Sequence, residues 1–136
     1  MKLILDFNIL FSILRPDTAA SEIFSRLDIE LVAPEELADE FEKWATECRK
    51  KSGLPEAAFS ERVQFVSSQI LLVDSNVYVK YLSEALSLIS DEGDAPYMAL
   101  GLATGLSIWS NDKGLAQQDR VKVFNTAELI EYLDKH

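Results

Sequence analysis

The sequence predicts an α/β fold in three layers, with helices on both faces of a parallel β-sheet. Short apolar segments typical of strands alternate along the chain with segments that have helical periodicity. The strand segments are apolar throughout, which is typical of parallel strands buried on both faces. With 136 residues, the chain is long enough for one compact domain and short for two. We therefore expect a single domain over residues 1–136.

The predicted elements follow one another in a regular order. Strands are predicted at residues 2–5, 29–33, 70–74, 106–110 and 121–125. Helices are predicted at residues 9–14, 18–27, 34–51, 55–69, 77–90, 95–105 and 126–136, with polar links at 91–94 and 111–120. Thr18 or Ser21 can cap the second helix. The third helix is expected to hold Pro34 in its first turn and to end at Gly53.

The overall charge argues, by itself, against a nucleic-acid partner. Thirteen basic and 23 acidic residues give a net charge of −10, whereas contacts between basic residues and phosphates dominate nucleic-acid affinity. Two features could reverse this conclusion. Acidic residues that hold divalent cations invert the local field, and basic residues are concentrated at Arg49, Lys50 and Lys51.

The composition also bears on the compartment. No segment reaches the roughly 18–20 apolar residues that span a bilayer, and Asp6 and Asn8 interrupt the apolar run that a signal peptide needs. Cys48 is the only cysteine, so neither a disulfide framework nor a cysteine zinc site is expected. These features predict a soluble, cytoplasmic domain without membrane association.

Helical geometry singles out Glu40 among the acidic residues of the third helix. At about 100° per residue, Leu37, Phe41, Trp44 and Cys48 form one apolar stripe that is expected to face the core. Glu40 lies at the edge of this stripe. A carboxylate in that position tends to be paired or metal-bound, and a solvated edge position is the simpler alternative.

Four acidic residues on four different elements are expected at one edge of the sheet. Asp6 follows the first strand, Asp112 follows the fourth, Asp94 opens a helix on that side, and Glu40 faces inward from another helix. Asp91 is a second candidate beside Asp94. Capping or a turn would account for Asp6, Asp94 or Asp112 taken singly. Together they would repel unless cations lay among them, and ligand sets made only of oxygen favour Mg²⁺ or Mn²⁺ over zinc.

Residue types that are missing narrow the possible chemistry. The only histidine is His136, so a mechanism based on a histidine pair has no residues to use. No glycine-rich phosphate loop and no G-x-S-x-G motif is present. A receiver domain, with Asp74 as phosphoacceptor, would need a lysine late in the chain, and the fifth strand has none in the right place.

The segments that carry the acids resemble the PIN domain family, small Mg²⁺- or Mn²⁺-dependent ribonucleases that include the VapC toxins. "LILDFNIL" (3–10) is similar to its opening motif, although Phe7 stands where many relatives have Thr or Ser. "APEELADEF" (33–41) resembles the second motif. "DAPYMALGLATGLSIWSND" (94–112) is similar to the third and fourth motifs together and is the most specific match.

This resemblance implies a five-stranded parallel sheet in the order 3-2-1-4-5 and cleavage of RNA phosphodiesters. It implies that one or two Mg²⁺ or Mn²⁺ ions would be held by Asp6, Glu40, Asp94 and Asp112. Asn8 and Ser110 would orient these carboxylates, and Asp91 lies near the third motif. The products would carry a 5′-phosphate and a 3′-hydroxyl.

The resemblance also implies partners. An RNA substrate, an antitoxin protein and a second copy of the chain in a homodimer are all expected. Phe24 or Leu27 could contact an antitoxin or a second copy, and packing in the core is the alternative for each. The alternative function is a PIN scaffold that binds RNA or protein without cleaving RNA.

Overall fold

A computed structural model describes residues 1–26 and 28–135, so Leu27 and His136 lie outside the described residues. Five strands form one parallel sheet: β1 (Lys2–Leu5), β2 (Glu30–Pro34), β3 (Ile70–Val73), β4 (Ser107–Trp109) and β5 (Val123–Phe124). Their order in the sheet is β3-β2-β1-β4-β5. The predicted α/β class and the order 3-2-1-4-5 are confirmed.

Helices connect the strands and pack against the sheet. In the described part of the chain they are α1 (Phe7–Ile13), α2 (Ala19–Phe24), α3 (Glu36–Ser52), α4 (Glu56–Ser68), α5 (Leu82–Leu88), α6 (Ala95–Thr104), α7 (Lys113–Ala116) and α8 (Thr126–Lys135). Short 3₁₀ helices lie at Ser75–Val77, Val79–Tyr81 and Glu92–Asp94. Helix α6 packs against β1, β2 and β4, whereas α3, α4 and α8 contact β2, β3 and β5, respectively.

Besides shifts of one to three residues at the ends of most elements, the structure differs from the prediction in three places. Pro34 is the last residue of β2, paired with Val73, and α3 starts two residues later, because the ladder to β3 extends through Pro34. The predicted helix over 77–90 is regular only from Leu82 onward, after two 3₁₀ turns. The polar link at 111–120 contains the short helix α7. The cap at Thr18 is confirmed, since its hydroxyl accepts a hydrogen bond from the Ser21 amide at 3.1 Å.

The core is centred on β1. Leu3, Ile4 and Leu5 are fully buried, as expected for the middle strand of a sheet covered on both faces. Helix α6 lies close to the segment that precedes β5 because Gly101 has no side chain. A Cβ there would lie 2.7 Å from Cγ1 of Val121. Phe24 is buried in the core, which was the alternative to a contact with an antitoxin or a second copy.

Two apolar regions are more exposed than their sequence pattern predicts. The edge strand β3 leaves Leu71 61% and Leu72 45% exposed, so the prediction that both faces of the sheet are covered is wrong at this edge. Trp44 is 41% exposed, although Leu37 and Cys48 of the same predicted stripe are buried.

Candidate functional site

The pairing of β1 with β4 brings Asp6 and Ser110 together. Leu5 lies opposite Trp109 in the ladder, so the next residue of each strand emerges at the same point of the carboxyl edge. The Ser110 hydroxyl donates a short hydrogen bond to Oδ2 of Asp6. Oδ1 of Asp6 accepts a hydrogen bond from the Ile9 amide at 2.8 Å and thereby caps α1. Asp6, and not Asn8, is therefore the cap of this helix.

Asp112 is joined to the same pair through its backbone. Its amide donates to the Ser110 hydroxyl oxygen at 3.0 Å, so Ser110 links the amide of Asp112 to the carboxylate of Asp6. The Asp112 side chain caps α7, with Oδ1 accepting from the Gly114 amide at 2.8 Å. Two acids at the ends of neighbouring strands are thus held in fixed orientations.

Asp94 stands at the N-cap position of α6, yet its side chain makes no capping hydrogen bond. Capping therefore does not account for this carboxyl. Its pKa is raised to about 7 by burial, by the negative charges of Asp112, Asp91 and Asp6, and by a hydrogen bond that its protonated form donates to Asp112. The side chain belongs to the group of acids at the sheet edge.

Asp6 is only 5% exposed, and its electrostatic environment is unfavourable for a charge. The pKa of Asp6 is raised to about 6, mainly by burial. Hydrogen bonds from Ser110 and Ile9 lower this pKa, and the charges of Asp112 and Glu40 raise it. The charge of Asp112 thus disfavours ionisation of both Asp6 and Asp94.

Glu40 approaches this group from α3 and is half-buried. Burial is the main cause of its raised pKa, and a hydrogen bond donated by the Tyr97 hydroxyl to Oε1 at 2.6 Å lowers it. The charge of Asp91 also raises the pKa of Glu40. Oδ1 of Asp91 accepts a hydrogen bond from the Gly93 amide in a 3₁₀ turn. Tyr97 was not among the residues predicted for the site. Its place three residues after Asp94, on the same face of α6, could have revealed it.

Asn8 lies near the acids without a bond to them. Its side chain is exposed, and the amide makes no hydrogen bond to another described residue. The structure therefore brings together Asp6, Asp94, Asp112 and Glu40 and places Ser110 among them, whereas the exposed Asn8 side chain is not bonded to them.

The four carboxylates suit a hard divalent cation by ligand type, since they offer only oxygen. The raised pKa values of Asp6, Glu40 and Asp94 indicate that negative charge gathers there without enough compensation. Within residues 1–26 and 28–135, however, no three His, Cys, Asp or Glu side chains already form a set of metal ligands. Hydrogen bonds fix the orientation of Asp6, Glu40 and Asp112, and each of these carboxylates keeps lone pairs that could bind an ion.

The parallel sheet in this order and the acidic side chains at its carboxyl edge define the class of protein: a small α/β domain with a cluster of carboxylates at the ends of its strands. The chain belongs to the PIN domain family, since the family model described as PIN domain matches residues 4–134. Members of this family are generally nucleases. The resemblance seen in the sequence motifs is confirmed.

A solved structure agrees with this assignment. A chain in the crystal structure of VapBC2 from Rickettsia felis, bound to a DNA fragment from their promoter, matches with a TM-score of 0.69 and 12% sequence identity. The match covers 92% of this chain and 98% of that one, so the two share the fold over nearly their whole lengths. No curated protein matches the sequence. Among the described residues, no helix is long and apolar enough to cross a membrane.

Proposed function

We propose that this protein is a ribonuclease that depends on Mg²⁺ or Mn²⁺ and hydrolyses RNA phosphodiesters. The observation that carries the proposal is the position of Asp94. Its carboxyl stands where a helix cap is expected, leaves the helix amides without a side-chain partner, and meets Asp112 instead. A divalent cation would relieve this repulsion, and the family includes nucleases that need such chemistry.

Asp6, Glu40, Asp94 and Asp112 would hold the ion or ions. Bound there, the metal would activate water for attack and neutralise charge on the phosphate, leaving a 5′-phosphate and a 3′-hydroxyl. Ser110 would keep the Asp6 carboxylate in place, and Tyr97 would do the same for Glu40. Residues that hold ligands in this way reduce the cost of ordering them when the ion binds.

A role as the toxin of a toxin–antitoxin pair is part of the proposal. The similar chain from Rickettsia felis lies in a VapBC complex, which supports an antitoxin partner for this chain as well. We also propose a cytoplasmic protein in which residues 1–136 work as one unit and form a homodimer. The exposed side chains of Leu71 and Leu72 support association with another chain.

The test is Mn²⁺-dependent cleavage of structured and unstructured RNA by the wild type, by Asp6→Asn and by Asp94→Asn. We expect cleavage by the wild type, abolition by a chelator, and loss of activity in both variants. End-group analysis should show 5′-phosphates. Equal and negligible activity in all three proteins would contradict the nuclease.

One observation favours a second function, a PIN scaffold that binds RNA or protein without cleavage. In the described part of the chain the acids do not form a ready set of metal ligands. Calorimetry with Mn²⁺ at neutral pH separates the two functions. The nuclease requires a heat of binding that Asp94→Asn removes, whereas the scaffold gives no such heat.

A further inference from the structure

A groove runs between α1 and α3 and begins beside the carboxylates. It encloses about 550 Å³, and its lining includes Phe7 and Phe11 from α1. One face of α3 forms the other wall, with residues spaced three or four apart: Glu40, Trp44, Glu47 and Lys51. At a rise of ~1.5 Å per residue, this wall is about 16 Å long from Glu40 to Lys51. Glu40 thus belongs both to the acidic site and to the groove.

Three aromatic rings line this groove. Trp44 is 41% exposed on the wall that α3 provides. Across the groove, Phe7 and Phe11 are half-buried and pack edge to face with ring centroids 6.2 Å apart. A large exposed indole facing further rings offers flat apolar surface that a nucleobase can stack on. The folding core does not require Trp44, because most of the apolar stripe to which it belongs is buried without it.

Two lysines lie on these rings, in a protein whose net charge is −10. Nζ of Lys43 is 5.4 Å from the ring centroid of Trp44, and Nζ of Lys51 is 5.9 Å from that of Phe11. Lys51 also approaches Glu47 at 3.8 Å. An exposed pair of this kind contributes little, so Lys51 remains available to an incoming phosphate.

We propose that this groove binds single-stranded RNA, with bases stacked on Trp44 and Phe11 and phosphates contacting Lys43 and Lys51. The inference rests on the proposed function, since the groove leads the strand to Glu40. Rings and cations in alternation are the features that bind a single strand without regard to sequence. A duplex keeps its bases stacked inside, so it cannot use the rings. A protein partner would use the apolar surface but would not need both lysines on the rings.

Tryptophan fluorescence tests the groove directly. Trp109 is fully buried, so quenching by a ligand in the groove reports on Trp44. The full chain is titrated with a single-stranded 12-nucleotide RNA and with a blunt RNA duplex, with Ca²⁺ replacing Mn²⁺ and a gel confirming intact RNA. We expect the single strand to quench emission and the duplex to bind at least tenfold more weakly. Trp44→Phe should abolish the quenching.

Variants measure the contribution of each contact. Trp44→Ala should weaken binding of the single strand about 5- to 100-fold, the range for loss of one stacked base. Lys51→Gln should weaken binding less and reduce the salt slope by about 0.7, the value for one phosphate contact to a single strand.

Matched controls lie elsewhere on the surface. Phe65 is an aromatic residue 55% exposed, and Lys135 forms an ion pair with Glu131 four residues earlier, as Lys51 does with Glu47. Phe65→Ala and Lys135→Gln should leave RNA binding unchanged. Thermal unfolding of each variant confirms that it is folded.

The outcomes separate the groove from the nuclease. Cleavage without quenching, or with Trp44→Ala and Lys51→Gln binding RNA as the wild type does, overturns the groove and leaves the nuclease standing. Quenching and variant effects without any Mn²⁺-dependent cleavage support the groove and contradict the nuclease. Absence of single-strand binding overturns the groove as an RNA site.

Discussion

The hydroxyl of Tyr97 donates a hydrogen bond to Glu40 Oε1 at 2.6 Å and so connects α6 to α3 across the acidic site. Both side chains come from helices that lie far apart in the sequence. The bond holds a half-buried carboxylate in place and lowers its pKa against the effect of burial. Tyr97 therefore controls the orientation of an acid that we propose as a metal ligand.

Tyr97→Phe should weaken the site more than it weakens the fold. Loss of the hydrogen bond to a charged group should lower the free energy of unfolding by about 1–2 kcal/mol and raise the Mn²⁺ concentration needed for half-maximal cleavage. Chemical denaturation and a Mn²⁺ titration measure the two effects. Tyr78→Phe is the matched control, because Tyr78 donates an equivalent bond to Glu36 at 2.5 Å, outside the four acids. A similar Mn²⁺ shift in both variants would show that Tyr97 has no particular role.

Ser110→Ala should destabilise the ionised form of Asp6. The buried carboxylate would lose one of its two hydrogen bonds, so its pKa should rise above the value of about 6 in the wild type. We expect the free energy of unfolding at pH 7.5 to fall by about 1–3 kcal/mol. Denaturation at pH 5 and pH 7.5 checks this, and the loss should be smaller at pH 5, where Asp6 is protonated. Ser68→Ala, which removes an exposed hydroxyl, should have little effect at either pH.

The metal-free protein should be less stable at neutral pH than in mild acid. Asp6 and Asp94 have an ordinary pKa of 3.8 that folding raises to about 6 and about 7. Between these values the folded state binds more protons than the unfolded state, so the free energy of unfolding falls as the pH rises from about 4 to 7. Thermal unfolding with a chelator should therefore give a higher Tm at pH 5 than at pH 7.5. Mn²⁺ should reverse the difference, and a Tm that increases with pH in the chelator would contradict it.

Asp94→Asn should stabilise the metal-free protein at pH 7.5 while it removes activity. The substitution deletes a charge that burial and three neighbouring acids disfavour, and it breaks no capping bond. We expect a Tm several degrees above that of the wild type in the chelator and cleavage reduced at least 100-fold. Asp74→Asn is the control, since its carboxyl accepts only a backbone amide, that of Asn76 in a 3₁₀ turn, and does not raise the pKa of Asp94. Loss of stability in Asp94→Asn would show that the carboxyl serves the fold.

The order of elements and the placement of the acids could be predicted because both follow from local pattern. Apolar runs fix the strands, and parallel strands put Asp6 and Asp112 at a common edge. The exposure of Trp44 and Leu71 could not be predicted, because hydropathy shows that a residue is apolar but not whether another element covers it. The Tyr97 contact was missed for a related reason: it joins two helices whose angle depends on packing. The late start of α5 reflects two 3₁₀ turns that resemble a helix in periodicity.

Asp6 has two roles, one as the N-cap of α1 and one as a charge at the sheet edge, and different substitutions affect them differently. Its Oδ1 caps α1, the helix that carries Phe7 and Phe11, while the whole carboxylate contributes negative charge at the sheet edge. Asparagine caps a helix about as well as aspartate, and alanine costs roughly 1 kcal/mol at such a position. Asp6→Asn thus keeps the cap while it removes the charge and, at Nδ2, the acceptor for the Ser110 hydroxyl. Asp6→Ala also loosens the start of a groove wall, and inactivity in that variant has two explanations.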